Sequence, residues 1–510
     1  MFYDCANLQY ISLPKNVTSI GKYAFRYCYS LSSIVIPNSV IRIGNMAFES
    51  CYLSSVYITD LTAWCNIEFL NSTSNPLYFG GKLYLNDKMI TDLVIPDNIT
   101  TINDCIFYGC SSFKSVNIGN NVTSIGRFAF YGCKALTSVT ISNGLTSISD
   151  YSFSCCEALT SIVIPDNVTS IGGHAFERCS ALTSIVIPDN VTSIGEGAFA
   201  GCNALNSITI GKGLTSISGS AFSHCKALTS IVIPDNIAAI GSNAFYACKA
   251  LNSVTLGNGV VSIGESAFAW CEALTSIVIP DNVTSIGREA FLECDALASV
   301  TLGNSLNSID DMAFKNCKNL TSIVIPDNVA SLGRETFINC DALTSVTIGN
   351  GANSLGNAAF SDCDALTSIT IGDGITKIPD SLCYSCNKLN EVRIGKKIRS
   401  IGIAAFFIKD GYVIDKFYCY AELPPKFSNE KIYMGKFTPS GWHSGNYQRK
   451  YYNYYPFYYC ETHVDDDRDE TVRYSKDYKT MIQTIYVPIR CGSAYKESEW
   501  KDFFADIVEF

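Results

Sequence analysis

Thirteen cysteines from Cys110 to Cys386 stand 23 residues apart, and Cys5, Cys28 and Cys51 keep the same step ahead of an interruption. Phenylalanines from Phe153 to Phe360 keep time with them. Self-similarity at this period marks a stack of equal coils, each touching only its neighbours and none able to bury its apolar face alone. A single globular core has no use for such a metronome.

The coil Leu182–Cys202 shows what one turn must do. Leu182, Ile185 and Ile187 follow an L-x-x-L-x-L spacing, and the alternation predicts a strand with one face buried. Pro188 and Asp189 end it. Asn190 is expected to turn its amide inward to backbone groups, and Val191 and Ile194 to return to the core. Gly195 supplies backbone freedom for a turn. Ala198, Phe199 and Cys202 are expected on a short helical or 3₁₀ turn. Read this way, the chain holds 17 parallel strands, from residues 10–13 to 391–394. A second period is overlaid: four blocks of 46 residues begin at Thr183, Thr229, Thr275 and Thr321 with T-S-I-V-I-P-D-N. Such copying points to extension by duplication, and four near-copies do not supply the one asymmetric constellation catalysis needs.

The string Ile185-Val186-Ile187-Pro188-Asp189-Asn190-Val191-Thr192-Ser193-Ile194-Gly195, followed by Ala198-Phe199 and Cys202, resembles the BspA-like leucine-rich repeat. The resemblance covers most of residues 1–408. The segment from Asp60-Leu61-Thr62-Ala63-Trp64-Cys65 to Lys82-Leu83-Tyr84-Leu85 is similar to an insertion common in that family. Leu423-Pro424-Pro425, Ile485-Tyr486-Val487-Pro488 and Trp500-Lys501-Asp502-Phe503 are similar to its closing segment. The resemblance implies an α/β repeat solenoid of the right-handed leucine-rich type, with a parallel β-sheet on one face and a mixed C-terminal cap. It also implies a cell-surface or secreted protein that adheres to extracellular-matrix protein, such as fibronectin or fibrinogen, or to another microbe. A glycan is the further ligand class carried with that reading. The rival is a structural spacer presenting the C-terminal segment; an enzyme would need a site within residues 409–510.

The expected organisation is repeats over residues 1–59, an insertion with an Asn86-Asp87-Lys88 hairpin over 60–92, repeats over 93–408, and a cap over 409–510 with a loop-rich insertion at 426–480. Met1 stands where Ala usually does, so the sequence reads as starting inside a repeat, and the lack of a leader says little about location. Hydrophobic residues make up 47% and charged residues 16%, which suits a large core. The net charge of −10, without a Lys/Arg-rich run, argues against nucleic acid as a partner. No apolar run approaches the roughly 20 residues of a membrane span.

Outward strand positions form a Ser row from Ser161 to Ser368, beside a row alternating Val and Thr from Val163 to Thr370. These rows are either a neutral binding face or plain β-propensity. Departures cluster at the C-terminal end. Glu391 and Arg393 break the neutral rows, and the Tyr-rich stretch with Arg449, Tyr451, Tyr452, Tyr454, Tyr455, Tyr458 and Tyr459 follows. Tyr and Arg are the side chains richest in binding hot spots, so these residues are the candidate ligand site. The alternative for the tyrosines is that they only hold an insertion in place. The ladder cysteines read as reduced, buried thiols, because parallel side chains one coil apart are too far separated for a disulfide. The C-x-x-C of Cys383 and Cys386 falls on repeat positions. Asp465-Asp466-Asp467-Arg468-Asp469-Glu470 lacks the spacing of a calcium loop. Asn-x-Thr triplets at Asn167, Asn190 and Asn282 are discounted as inward-facing. His174 and His224 fall in variable turns, and neither a nucleophile–His grouping nor a phosphate loop is present. No enzyme, cofactor or metal is expected.

Overall fold

The computed structural model describes residues 2–408, 413–428 and 482–510, together with the backbone of strands Glu430–Tyr433, Gln448–Tyr455, Tyr458–Asp465, Arg473–Lys479 and Met481. The chain divides into two units, Met1–Val260 and Val261–Phe510. Each is a parallel-sheet solenoid with coils of about 23 residues.

In the first unit, Ser115–Ile118 pairs in parallel with Ser138–Ile141, and every partner lies one repeat along. Its neighbours on the same sheet are Asp92–Val94 and, beyond Ser138, Ser161–Ile162. Buried and exposed residues alternate along these strands, as one covered face demands. The exposed position carries Val163, Val186 and Val232, each at least 60% exposed. The strand expected at residues 10–13 does not form, and the first strand of this row is Ser33–Val35.

A second, shorter parallel ladder was not evident in the periodicity. Ser124–Ile125, Ser147–Ile148, Ser170–Ile171 and Ser193–Ile194 pair in sequence, so the "return" residues are themselves a sheet. Thr hydroxyls reinforce it: Thr169 and Thr192 each donate at 3.2 Å to the threonine carbonyl one coil back. Gly195 lies here because the preceding coil is close, not because φ must be positive. A Cβ at Gly195 would sit 2.2 Å from the Gly173 nitrogen.

The third side corrects the helical expectation for Ala198–Cys202. Residues 196–201 are consecutive turns with two left-handed residues per coil. Ala200 N–H and Cys202 N–H close turns on the carbonyls three residues back, while Phe199 N–H and Gly201 N–H reach Ala221 and Ser223 carbonyls in the next coil. Alternate donors therefore serve the coil and its neighbour, leaving few backbone groups orphaned. Inside this wall the phenylalanines stack: Phe153 and Phe176 lie 5.5 Å apart, and the row runs to Phe245. The thiols do more than fill space. Cys179 Sγ donates to the Phe153 carbonyl and Cys202 Sγ to the Phe176 carbonyl, each at 3.2 Å. Burial pushes the Cys202 and Cys248 thiols up to about 12.

Asn190 also differs from expectation. Its side chain is exposed and donates to the Asp166 carbonyl of the preceding coil at 2.8 Å; Asn167 and Asn282 are exposed likewise. The outward-facing Asn is possible because the turn's inward positions are filled by Val191 and Ile187, and the amide bonds along the stack instead. A buried amide does occur, at Asn75, whose Nδ2 donates to the Cys105 and Ile106 carbonyls.

Residues 60–92 do not merely interrupt the stack. Glu68–Phe69 pairs with Arg42–Ile43 and Lys82–Leu85 pairs with Ser55–Ile58, so this segment acts as an enlarged coil. It adds a helix, Leu61–Cys65, whose N-terminal N–H groups are capped by Asp60. Lys88–Met89 folds back antiparallel through the left-handed Asn86 and Asp87.

In the second unit a parallel sheet runs Ser322–Ile325, Ser345–Ile348, Ser368–Ile371, Glu391–Ile394, Val413–Cys419, Met481–Val487 and Phe504–Glu509. Buried Tyr495 and Trp500 pack behind its last strands, donating to the Ala421 and Pro425 carbonyls. The insertion expected to be loop-rich instead carries strands: Glu430–Tyr433, Gln448–Tyr455, Tyr458–Asp465 and Arg473–Lys479 pair antiparallel. Alternating polar and aromatic residues suit a two-sided ribbon as well as a loop, which is why composition misleads here.

Candidate binding surfaces

At the C-terminal end of the second unit the outward sheet positions change character. Arg393, Tyr418, Tyr486 and Val508 are in register across four parallel strands. The Arg393 guanidinium lies 3.9 Å from the centre of the Tyr418 ring, and Tyr418 stacks on Tyr486 at 4.4 Å. Arg393 Nε donates to Glu391 Oε1 at 2.7 Å, and Nη1 donates to the Tyr420 hydroxyl at 3.3 Å. Phe510 meets Tyr420 edge-on at 5.3 Å. The neighbouring row, Glu391, Lys416, Thr484 and Asp506, alternates in charge around a threonine. One coil back the same positions hold Ser368 and Thr370.

This arrangement brings Glu391 and Arg393 together with Tyr418, Tyr420, Tyr486 and Phe510, which periodicity alone did not single out. Their signal is visible afterwards in F-Y-C-Y and I-Y-V, where tyrosine takes the outward slots of the last strands. The proposed partners Tyr451, Tyr452, Tyr454 and Tyr455 lie on one strand with Arg449, and Tyr458 and Tyr459 on the next. Tyr454 pairs with Tyr459 and Tyr455 with Tyr458 across the ribbon. The side chains of these residues fall outside the described residues, as do Cys460, His463 and the acidic run after Asp465.

A second surface lies on the turn side of the first unit. Phe128, Tyr151 and His174 stack face to face at 4.7 Å, one per coil. The row stops at Gly197. A cleft of about 560 Å³ opens there, lined on one side by His174, Glu177 and Arg178 and on the other by Ser220, Ser223 and His224. Gly197, Ala200 and Gly201 lie between these walls, with the His174 ring against Gly197, and Glu157, Ser180, Glu196, Asn203 and Lys226 complete the lining. His174 Nδ1 sits 3.3 Å from Glu177 Oε2, yet the geometry makes no hydrogen bond and the buried nitrogen has no other partner among the described residues. Burial, and then the Lys226 ammonium, lower the His224 pKa. Both histidines lie in turns that vary from coil to coil, and the sequence signal for the cleft is two glycines in one coil at positions where adjoining coils carry side chains.

Neither surface groups three or more metal-ligating side chains among the described residues. No helix of the described residues is long and apolar enough to cross a membrane.

The comparisons agree with this architecture. The family model for the BspA type leucine rich repeat region matches residues 1–75, 78–206, 169–298 and 284–410. A leucine-rich repeat protein from Bacteroides ovatus is similar at 29% identity, covering 64% of this chain and 86% of that one, with a TM-score of 0.58. A leucine rich cell surface protein from Faecalibacterium prausnitzii is 29% identical over 60% of this chain and 88% of its own, with a TM-score of 0.39. No curated protein matches. The chain belongs to the BspA-type leucine-rich repeat family.

Proposed function

We propose that the chain is a non-enzymatic, adhesin-like scaffold, at a cell surface or secreted, that recognises extracellular-matrix protein, another microbe or a glycan. Recognition in this reading centres on the C-terminal outward face, and the supporting observation is the in-register row of Arg393, Tyr418 and Tyr486. A guanidinium held by a carboxylate and a ring is pre-organised, so little side-chain entropy is lost on contact. The Tyr-rich ribbon with Arg449, Tyr451, Tyr452, Tyr454, Tyr455, Tyr458 and Tyr459 belongs to the same proposal. The neutral Ser, Thr and Val rows act as its platform.

The test is a binding screen of the purified chain against matrix proteins and glycans, followed by Arg393→Ala with Tyr418→Ser. At least a tenfold loss of affinity, about 1.4 kcal/mol, with an unchanged melting temperature supports the reading. Full affinity in that variant, with binding abolished when residues 229–320 are removed, moves recognition to the repeats.

A further inference from the structure

We propose that the prolines Pro234 and Pro326 make hinge lines in the outward sheet, where the face opens and closes while the other two sides of the solenoid stay joined.

The sheet is divided at particular places. Ser207–Thr209 ends one stretch of paired strands and Ser230–Ile233 begins the next; Ser299–Thr301 and Ser322–Ile325 are divided in the same way. In both cases the strand after the break runs into a proline, Pro234 or Pro326. Where the following coil carries glycine at that position, its N–H closes the ladder. Gly257 donates to the Ile233 carbonyl and Gly349 to the Ile325 carbonyl, each at 2.8 Å, and Ser142 does the same for Ile118 at 3.0 Å. Proline has no N–H to give, so it leaves the strand before it as an edge. The reciprocal bond is lost with it. Ile187 and Ile279 each donate at 2.9 Å to a threonine carbonyl, Thr209 or Thr301, in the glycine-type coil that follows. Among the described residues no backbone bond joins Ile210 to Val232 or Leu302 to Val324.

Side-chain packing registers the same break. Val300 and Leu302, ahead of a proline coil, are half-buried. Val346 and Ile348 stand in the same S-V-T setting ahead of a glycine coil and are 2% and 1% exposed. Ile208 and Ile210 are half-buried like Val300, and a cavity of about 340 Å³ lies between them and Ile231, Val232 and Pro234.

The other sides of the coil cross these breaks intact. On the short ladder Ser216–Ile217 pairs with Ala239–Ile240, and Ser308–Ile309 with Ser331–Leu332. Behind the turns Phe222 stacks on Phe245 at 5.6 Å and Phe314 on Phe337 at 5.2 Å. Two joined sides and one unpaired side make a hinge. Opening there breaks a few apolar contacts and no ladder hydrogen bond between Ile210 and Val232 or between Leu302 and Val324, so the face yields at these lines first. The strands from Ser322–Ile325 to Glu391–Ile394, joined through Gly349, Gly372 and Gly395 coils, form an unbroken stretch by contrast. Within each unit the neutral platform is therefore divided into panels that adjust the curvature offered to a partner.

The test is hydrogen exchange of the full chain, read at single amides by mass spectrometry. Ile210, Leu302 and Ile348 each follow a threonine, so their intrinsic rates match. Ile210 and Leu302 should exchange at least tenfold faster than Ile348, while Ile240 and Leu332 on the short ladder stay protected. Pro234→Ser supplies the N–H that Ser142 supplies in its own coil. It should slow Ile210 at least tenfold and leave Leu302 unchanged. Ser142→Pro runs the comparison in reverse and does not depend on the first variant. Its position holds Pro165 one coil on, and it should speed Ile118 at least tenfold. Equal exchange at Leu302 and Ile348 would overturn the proposal. So would Ile210 unaltered in Pro234→Ser, or short-ladder amides that exchange together with the sheet face. The measurement needs no ligand, so its outcome is independent of the reading of Arg393 and Tyr418.

Discussion

At the scale of single residues, two kinds of position do different jobs. Phe245 is fully buried in the stacked row, whereas Ser253 is exposed on the sheet. Phe245→Ala should cost about 3–5 kcal/mol, and Ser253→Ala should stay within about 0.5 kcal/mol. Equal shifts in denaturant midpoint would show the inward assignment to be wrong. The left-handed turn residues store a cost of a different origin. Ala358 has φ 57°, a conformation that disfavours a Cβ by roughly 1–2 kcal/mol. The surrounding interlocked hydrogen bonds hold it there, including its own N–H to the Asp380 carbonyl. Ala358→Gly is therefore expected to raise stability, or at least not lower it, by thermal melting. A clear loss would mean that the methyl group's packing outweighs the backbone strain.

At the scale of elements, neighbouring coils decide what one coil tolerates. Gly21 and Gly195 hold the same place in the repeat, after Ser-Ile. A Cβ at Gly21 meets nothing within 4 Å, while one at Gly195 runs into the backbone of the preceding coil. Gly21→Ala should be neutral or stabilise by about 0.4–1 kcal/mol. Gly195→Ala should destabilise by about 1–3 kcal/mol, as overpacking against backbone does. The two midpoints, measured side by side, check the stacking directly. The 46-residue period has an element-scale cause too. Asp235, Asp281 and Asp327 of the P-D-N coils accept the N–H of Asn258, Asn304 and Asn350 in the glycine-type coils that follow, at 2.6–2.9 Å. Each kind of turn supplies what the other lacks, so the pair is the unit that duplicates.

At the scale of the molecule, the buried thiols, in and beside the ladder, couple stability to alkaline pH. Cys51, Cys65, Cys105, Cys202 and Cys248 are pushed up to about 12 by burial, from an ordinary value of 9.0. Their folded pKa is raised, so the stabilisation is fully present below the unfolded pKa near 9 and is lost as pH rises towards 12. In that window each such thiol removes about 1.4 kcal/mol per pH unit, and several act together. The melting temperature should fall steeply between pH 9 and 11. Cys202→Ala with Cys248→Ala should make the fall shallower, though the variant starts lower at neutral pH for want of two donors to the Phe176 and Phe222 carbonyls. A flat profile across that range, or thiols that react freely in the native protein, would contradict this picture.

Much of the fold was legible before any coordinates. A 23-residue recurrence of Cys and Phe can be satisfied only by stacking like on like, and alternation at Ile185 and Ile187 sets which side of a strand is covered. Those signals are local and repeated, so the sequence by itself determined the coil, its buried residues and its family resemblance. Glu391 and Arg393 were also visible as departures from a neutral row. What the tertiary structure alone decided depends on the coil next door. The second ladder of strands, the outward Asn190 and the left-handed turns all exist because backbone groups one repeat away complete their hydrogen bonds. The contact of Arg393 with Tyr418 likewise joins residues on neighbouring strands and exists only once those strands pair. The groove beside Gly197 is a further case: two absent side chains mean nothing in a single coil, and shape the surface only when the coils carrying His174 and His224 are stacked on either side.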